Sequence, residues 1–242
     1  YDNPEQLANT AFTLAVGRHH FKYRYGFTCK NTREAISQLS KSTSDSKLIN
    51  SCNKLSQNDI VFMFPGQGSQ YINMSYQLYQ SEPFYRDQVD YCCNYVKTKL
   101  STDLRNILFP SSDNLSLAKT LIRQTEFTQL IIFIVEYSLA KLLMHWDIKP
   151  NAMIGHSLGE YVSACLAEVF SLEDALDIVI MRGKLMNQLE PGSMLAVGLP
   201  YQEFSRDLKN YPELSIAAIN TPTDCVISGN KISIKKLYDQ LE

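Results

Sequence analysis

The sequence predicts an α/β chain: a parallel-sheet subdomain, then a smaller α+β subdomain, all preceded by a short α+β segment. Three observations carry this. Residues 60–64 (IVFMF) are a continuous apolar run of strand length, the kind buried in a parallel sheet. Strand and helix patterns then alternate to about residue 191. From Gly192 the order becomes βαββα, one strand short of the ferredoxin-like βαββαβ unit.

Asn3-Pro4-Glu5 opens the first helix with a cap residue, a proline and an acid. Leu7, Ala8, Ala11, Phe12, Leu14 and Ala15 follow at helical spacing, and Gly17 ends the run. Residues 21–25 (FKYRY) alternate and are aromatic, which predicts a strand. Asn31 to Glu34 starts a short helix carrying Ala35, Ile36 and Leu39, and residues 41–57, rich in Ser, Lys and Asn, read as a linker. Residues 1–57 thus form an appendage too short for a good core of its own.

The α/β subdomain is predicted over 58–191. After the first strand comes the loop Pro65-Gly66-Gln67-Gly68-Ser69-Gln70, then a helix over 82–100 and a long, almost wholly apolar helix over 126–146. A second short strand is expected over 152–155 and a helix over 157–167, and Ser171-Leu172-Glu173-Asp174 is close to a capping box for a helix reaching about residue 189. In the third part, 192–242, strands are predicted at 194–199, 214–219 and 225–228, with helices at 202–208 and 232–241.

Composition narrows the function. The chain has 242 residues, 45% hydrophobic and 20% charged, enough to bury a core. Its net charge of −2 supplies no bulk attraction to nucleic acid or to an anionic membrane. The apolar run over 127–144 is broken by Gln129, Glu136 and Lys141 and reads as a buried helix, not a membrane span. The six cysteines show no metal-ligand spacing and read as small buried residues of a reducing, cytoplasmic compartment. No signal peptide is visible in the polar stretch that starts at Tyr1, and the unpunctuated ends read as those of a piece cut from a longer chain.

Residues 154–161 (IGHSLGEY) carry the chemistry. Gly155-x-Ser157-x-Gly159 matches the nucleophile elbow of α/β-hydrolase-like sheets, a tight strand-to-helix turn that lifts a serine hydroxyl out of the sheet. The N-terminus of the following helix aims free N–H groups at developing negative charge. An oxyanion needs a second donor, and the Gly66-Gln67-Gly68 loop lies at the same sheet edge if both strands are parallel. The bland alternatives are an ordinary turn at Ser157 and a plain glycine turn at Gly66.

Here the chain resembles a family. The segments FPGQGSQ (64–70), FTQLIIFIVEYSL (127–139), GHSLGEY (155–161), RGKLM (182–186) and AAINTPTDCVISG (217–229) occur in this order. Together they are similar to the acyltransferase, or malonyl-CoA:acyl carrier protein transacylase, domain of modular polyketide and fatty acid synthases. Residues 1–57, with AFTLAVGRHHFKYRYGF, resemble the linker between ketosynthase and acyltransferase in a type I polyketide synthase. The resemblance implies a role for each matching residue. Ser157 would be the acylated nucleophile, and the backbone N–H groups of Gln67 and Leu158 the oxyanion hole. Gln129 would line the pocket, Arg182 would bind the free carboxylate of a malonyl-type group, and His156 and Asn220 would shape the pocket. A planar guanidinium pairs bidentately with a carboxylate, which an acetyl group lacks.

It also implies a histidine base, placed in the family beyond the last ferredoxin-like helix and strand. The four histidines present, His19, His20, His145 and His156, are poor substitutes, so the piece alone is expected not to turn over normally. The implied partners are malonyl-CoA or a related acyl-CoA, an acyl carrier protein bearing phosphopantetheine, and the ketosynthase of the same chain. No cofactor of its own, no metal, no nucleic acid and no membrane are expected. A serine hydrolase of the α/β-hydrolase type, and a non-catalytic scaffold piece, are the alternatives.

Overall fold

The computed structural model describes residues 4–19, 21, 23–24, 26–41, 49–50, 59–202 and 211–241. The chain divides into two compact units, Tyr1–Asp59 and Ile60–Glu242, two residues later than the boundary expected from composition.

In the first unit, α1 (Pro4–Val16) and α2 (Thr32–Lys41) follow the predicted caps. Asn31 Oδ1 accepts from the Glu34 amide at 2.9 Å, and the Gly17 amide donates to the Thr13 carbonyl at 2.8 Å. β1 (Tyr23–Arg24) pairs antiparallel with β2 (Ile49–Asn50). β2 corrects the reading of 41–57 as linker alone: two residues are too few to show an alternating pattern. The rest of that linker, with Cys52, lies outside the described residues, as does His20.

In the second unit, β3 (Val61–Phe64) and β4 (Ala152–Gly155) form a two-stranded parallel sheet in the register Val61↔Ala152 to Phe64↔Gly155. Phe62 and Phe64 are buried against the helices, while Val61, Met63 and Ile154 are exposed. This corrects the expectation of a strand buried on both faces. Among the described residues, helices pack on one face of this sheet only, so the run IVFMF is read out with period two.

The helical layer contains α3 (Tyr76–Ser81), α4 (Pro83–Leu100), α5 (Arg105–Leu108), α6 (Leu115–Leu121), α7 (Thr125–His145), α8 (Gly159–Leu166) and α9 (Leu172–Asn187). Pro83 starts α4 at a position where its missing N–H costs nothing. Ser171 caps α9, its hydroxyl accepting from the Asp174 amide at 3.1 Å. The short helices α3, α5 and α6 have no counterpart among the predicted elements, because runs of four to seven residues are too short to display a helical period. Arg105 ties α5 to α4 through Asp90 and Asn94, both at 2.8 Å, and it also holds Asp103. The Arg105 bond keeps the Asp103 carboxyl low, at about 2.

α7 is the centre of the layer. It is long and apolar enough to cross a membrane by length and composition, yet 67% of its most apolar window is buried inside the protein. Leu130 to Val135 are all buried, packed with Tyr85, Val89 and Cys93 of α4 and Leu176 and Val179 of α9. Glu136 interrupts this surface with two buried carboxyl oxygens that have no hydrogen-bond partner, and burial raises its pKa to about 8. Trp146, the single tryptophan, follows the last turn of α7 beside His145, whose ring stacks on Phe84 at 4.2 Å between centroids. Burial likewise pushes the thiols of Cys92, Cys93 and Cys165 up, leaving them protonated packing groups.

β5 (Gly192–Val197), β6 (Leu214–Thr221) and β7 (Asp224–Asn230) form an antiparallel sheet of order β5-β7-β6, covered by α10 (Lys231–Leu241). That order is the one a βαββα segment of a ferredoxin-like unit produces. Val197, Leu214, Cys225, Ile227, Ile234 and Leu237 make its separate small core. The helix expected over 202–208 falls almost wholly outside the described residues.

Candidate active site

The site is built at the carboxyl ends of β3 and β4, where parallel strands release their loops together. At the end of β4 the chain turns sharply into α8. Gly155 and Gly159 are demanded by contact: a Cβ on Gly155 would stand 2.1 Å from the Gly159 carbonyl carbon, and one on Gly159 would stand 2.2 Å from the Phe64 carbonyl oxygen. Between them Ser157 takes a left-handed backbone with φ 54°. A non-glycine residue there is strained, and the strain is held by the turn: the His156 amide donates to the Phe64 carbonyl at 2.9 Å, and the Gly159 amide to the His156 carbonyl at 3.0 Å. The result is the strand-turn-helix elbow expected from GxSxG, with the serine exposed.

Leu158 has two faces. Its side chain is fully buried in the helical core, while its backbone lies at the N-terminus of α8. Its amide makes no backbone hydrogen bond among the described residues, and neither does the amide of Gln67. The loop after β3 brings that second amide to the elbow. A Cβ on Gly66 would lie 3.0 Å from the His156 carbonyl oxygen, 3.2 Å from His156 Nδ1 and 3.4 Å from Ser157 Cβ. The His156 ring therefore lies against Gly66.

Arg182, on α9, donates from Nη2 to Ser157 Oγ at 3.2 Å. Among the described residues it has no carboxylate partner, so most of its donor fork is free. Gln129 is fully buried on α7, its Nε2 3.5 Å from Gln67 Oε1 and 3.2 Å from Met186 Sδ; its own Oε1 has no partner. Gln67 Nε2 also reaches Thr125 Oγ1 at 3.4 Å.

The structure thus brings together Ser157, Leu158, Gln67, Gln129, Arg182 and His156. Asn220 is exposed on β6, an edge strand of the other sheet, at a register irregularity, and it makes no hydrogen bond to these residues among the described residues. Two neighbours were not singled out from the sequence. Tyr161 presents its ring 5.7 Å from the Arg182 guanidinium carbon, and Met186 contacts Gln129. Met186 had a signal: it sits four residues after Arg182 on α9 and so shares its helix face, whereas Ser157 precedes α8 and gives Tyr161 no such signal.

Comparison with known proteins follows the same outline. The family described as acyl transferase domain matches residues 61–242, and the one described as CurL-like, PKS C-terminal matches residues 2–39. The orsellinic acid synthase ArmB of Armillaria ostoyae is 34% identical over 229 residues, 92% of this chain and 10% of that protein. Among solved structures, the acyl transferase domain of ZmaA is 40% identical with a TM-score of 0.87, covering 97% of this chain and 55% of that one. The acyl transferase domain of SpnD, solved in complex with 2-(pent-4-yn-1-yl)malonyl, is 29% identical with a TM-score of 0.79, covering 97% and 54%. The chain therefore spans about a tenth of that curated relative and about half of each solved domain. With a family match over three quarters of its length and an elbow of the matching kind, the chain belongs to the acyl transferase domains of type I polyketide synthases.

Proposed function

We propose that this chain carries the acyl-loading half of an extender-unit transferase, which moves a malonyl-type group from coenzyme A to the phosphopantetheine thiol of an acyl carrier protein in polyketide biosynthesis. The observation that carries it is the free guanidinium of Arg182 beside the elbow serine, Nη2 to Oγ 3.2 Å. A cation with no carboxylate partner among the described residues, one hydrogen bond from the nucleophile, is placed to take the carboxylate of the acyl group while Ser157 takes its thioester.

Ser157 Oγ attacks the thioester carbonyl carbon, its proton passing to a base, and the carbonyl oxygen becomes an oxyanion. The amides of Gln67 and Leu158 are the donors proposed for that charge, helped by the N-terminus of α8. Collapse breaks the C–S bond, and the coenzyme A thiolate leaves and takes up a proton. The carrier's thiol then attacks the seryl ester through the same oxyanion, and Oγ leaves and regains its proton. Gln129 and Met186 bound the acyl end, and His156 supports the loop at Gly66. Asn220 would have to reach the pocket from the small sheet.

The base is assigned to none of the described histidines of the second unit: His156 rests against Gly66, and His145 stacks on Phe84 at the far end of α7. We assign the base to the part of the solved domains that residues 1–242 do not cover, so these residues alone acylate slowly. Residues 1–57 would link to a ketosynthase, residues 58–191 hold the serine, and residues 192–242 cover it. The synthase would work in the cytoplasm with no cofactor of its own, phosphopantetheine being carried by the partner.

The test is mass analysis of the Ser157 peptide after the full-length protein meets equal amounts of malonyl-, methylmalonyl- and acetyl-CoA. A carboxylated adduct that vanishes in Ser157→Ala is expected, and its mass names the extender. Free acid released with no carrier present would speak for a hydrolase.

A further inference from the structure

From the packing of α8 on α9 we infer that Tyr161 is a positioning residue for Arg182, and through it a determinant of preference for carboxylated acyl groups. The inference rests on the acyl-transfer reading. Arg182 holds one hydrogen bond, to Ser157 Oγ, and has no carboxylate partner among the described residues. A long side chain held by one bond can swing through many rotamers, at a cost in entropy whenever a substrate needs it in one place. The guanidinium carbon lies 5.7 Å from the Tyr161 ring centroid, inside the range of a cation–π contact. Tyr161 lies in the first turn of α8, which begins two residues after Ser157, so the guanidinium contacts the ring and the hydroxyl at one junction.

The geometry divides the labour. A carboxylate in place of the ring would also hold the arginine, but it would occupy the fork and compete with the substrate's carboxylate. A ring face attracts the cation through its quadrupole and takes none of its N–H groups. The arginine is thus held and left unsatisfied at once, the state best able to accept a bidentate carboxylate. An acetyl group gains nothing from it.

The experiment is a competition on the full-length protein: equal malonyl-CoA and acetyl-CoA, with the malonyl-to-acetyl ratio of Ser157 adducts read by mass. Tyr161→Leu is expected to lower that ratio about 3- to 30-fold, while Tyr161→Phe, which keeps the ring, holds it within about twofold. In an Arg182→Ala background, Tyr161→Leu should change the ratio no further. Because the leucine variant could fail to fold, a second series places phenylalanine and its di- and trifluorinated analogues at residue 161. These keep the shape and weaken the ring's quadrupole, and the ratio should fall stepwise with fluorination. An unchanged ratio in Tyr161→Leu or across the fluorinated series, with adducts present, overturns the positioning role. So does an equal loss in Tyr161→Phe, which would assign the effect to the hydroxyl. Absence of any Ser157 adduct in the unsubstituted protein strikes instead at the acyl-transfer reading.

Discussion

The turn after β4 leaves no room at either of its glycines, whereas the turn after β3 is tight at Gly66 and open to solvent at Gly68. At the first, hypothetical Cβ atoms at Gly155 and Gly159 meet backbone at 2.1 and 2.2 Å. At the second, Gly68 has φ 124° and nothing within 4 Å of its Cβ position, and Gln67 and Ser69 are exposed. The first is fastened by main-chain bonds into the sheet and helix. The second is fastened by side chains: the Gly68 amide donates to Gln70 Oε1 at 2.9 Å, Ser69 Oγ to the Gly66 carbonyl at 3.3 Å, and Gln67 holds Thr125 and Gln129 at 3.4 and 3.5 Å. The nucleophile thus stands on the rigid turn, and one proposed oxyanion donor stands on the adaptable one. A site that must admit a large thioester twice has reason to keep one wall fixed and let the other adjust.

Substitution at the rigid turn should do the most damage. Gly159→Ala drives a methyl into the Phe64 carbonyl, which cannot move without parting β3 from β4. A loss of at least about 4 kcal/mol, or failure to fold, is expected in denaturant unfolding. Gly66→Ala sits where the two turns touch. The imidazole of His156 can rotate away from the new methyl, but the His156 carbonyl at 3.0 Å cannot do so freely. A loss of about 1–2 kcal/mol is expected, with Ser157 acylation falling more steeply than stability because the Gln67 amide is displaced. Gly68→Ala meets no atom and bears only the strain of its φ, about 1 kcal/mol or somewhat more, with acylation nearly retained. If Gly68→Ala proved as harmful as Gly159→Ala, the contrast between the turns would fail.

A smaller effect tests α7, the helix that the adaptable turn leans on through Gln129. Burial holds the Glu136 pKa near 8, above its ordinary value of 4.5, so the folded protein keeps a proton that the unfolded chain releases. Glu136 therefore favours the folded state most below about pH 4.5, and that advantage is lost as pH rises towards 8. Melting temperatures measured between pH 5 and pH 8 should fall more in the unsubstituted protein than in Glu136→Gln. Equal slopes would place Glu136 in contact with water or a partner group.

Long, regular signals carried well from sequence to structure. Residues 152–155 form the predicted strand, Ser171 caps the predicted helix, and GxSxG makes the turn its spacing requires, because only glycine fits where backbone meets backbone. Signals that depend on tertiary partners did not. Nothing local says that one face of IVFMF stays uncovered, that Ile49 and Asn50 pair with β1, or that four residues at 105–108 make a helical turn. The role offered to Arg182 came from resemblance alone, since an arginine late in a helix is usually a solvated end. Its meeting with Tyr161 depends on how α8 crosses α9, which neither helix encodes by itself.

Trp146, half exposed at the end of α7, gives the protein a native optical reporter on one side only. Its emission will follow the melting of the helical layer that carries the serine. It caps α7, whose buried residues belong to a different core from the one under the β5-β7-β6 sheet, which contains no indole to report its own unfolding. Fluorescence and far-ultraviolet dichroism, recorded on the same sample, would then separate the unfolding of the serine's scaffold from that of the sheet beside it.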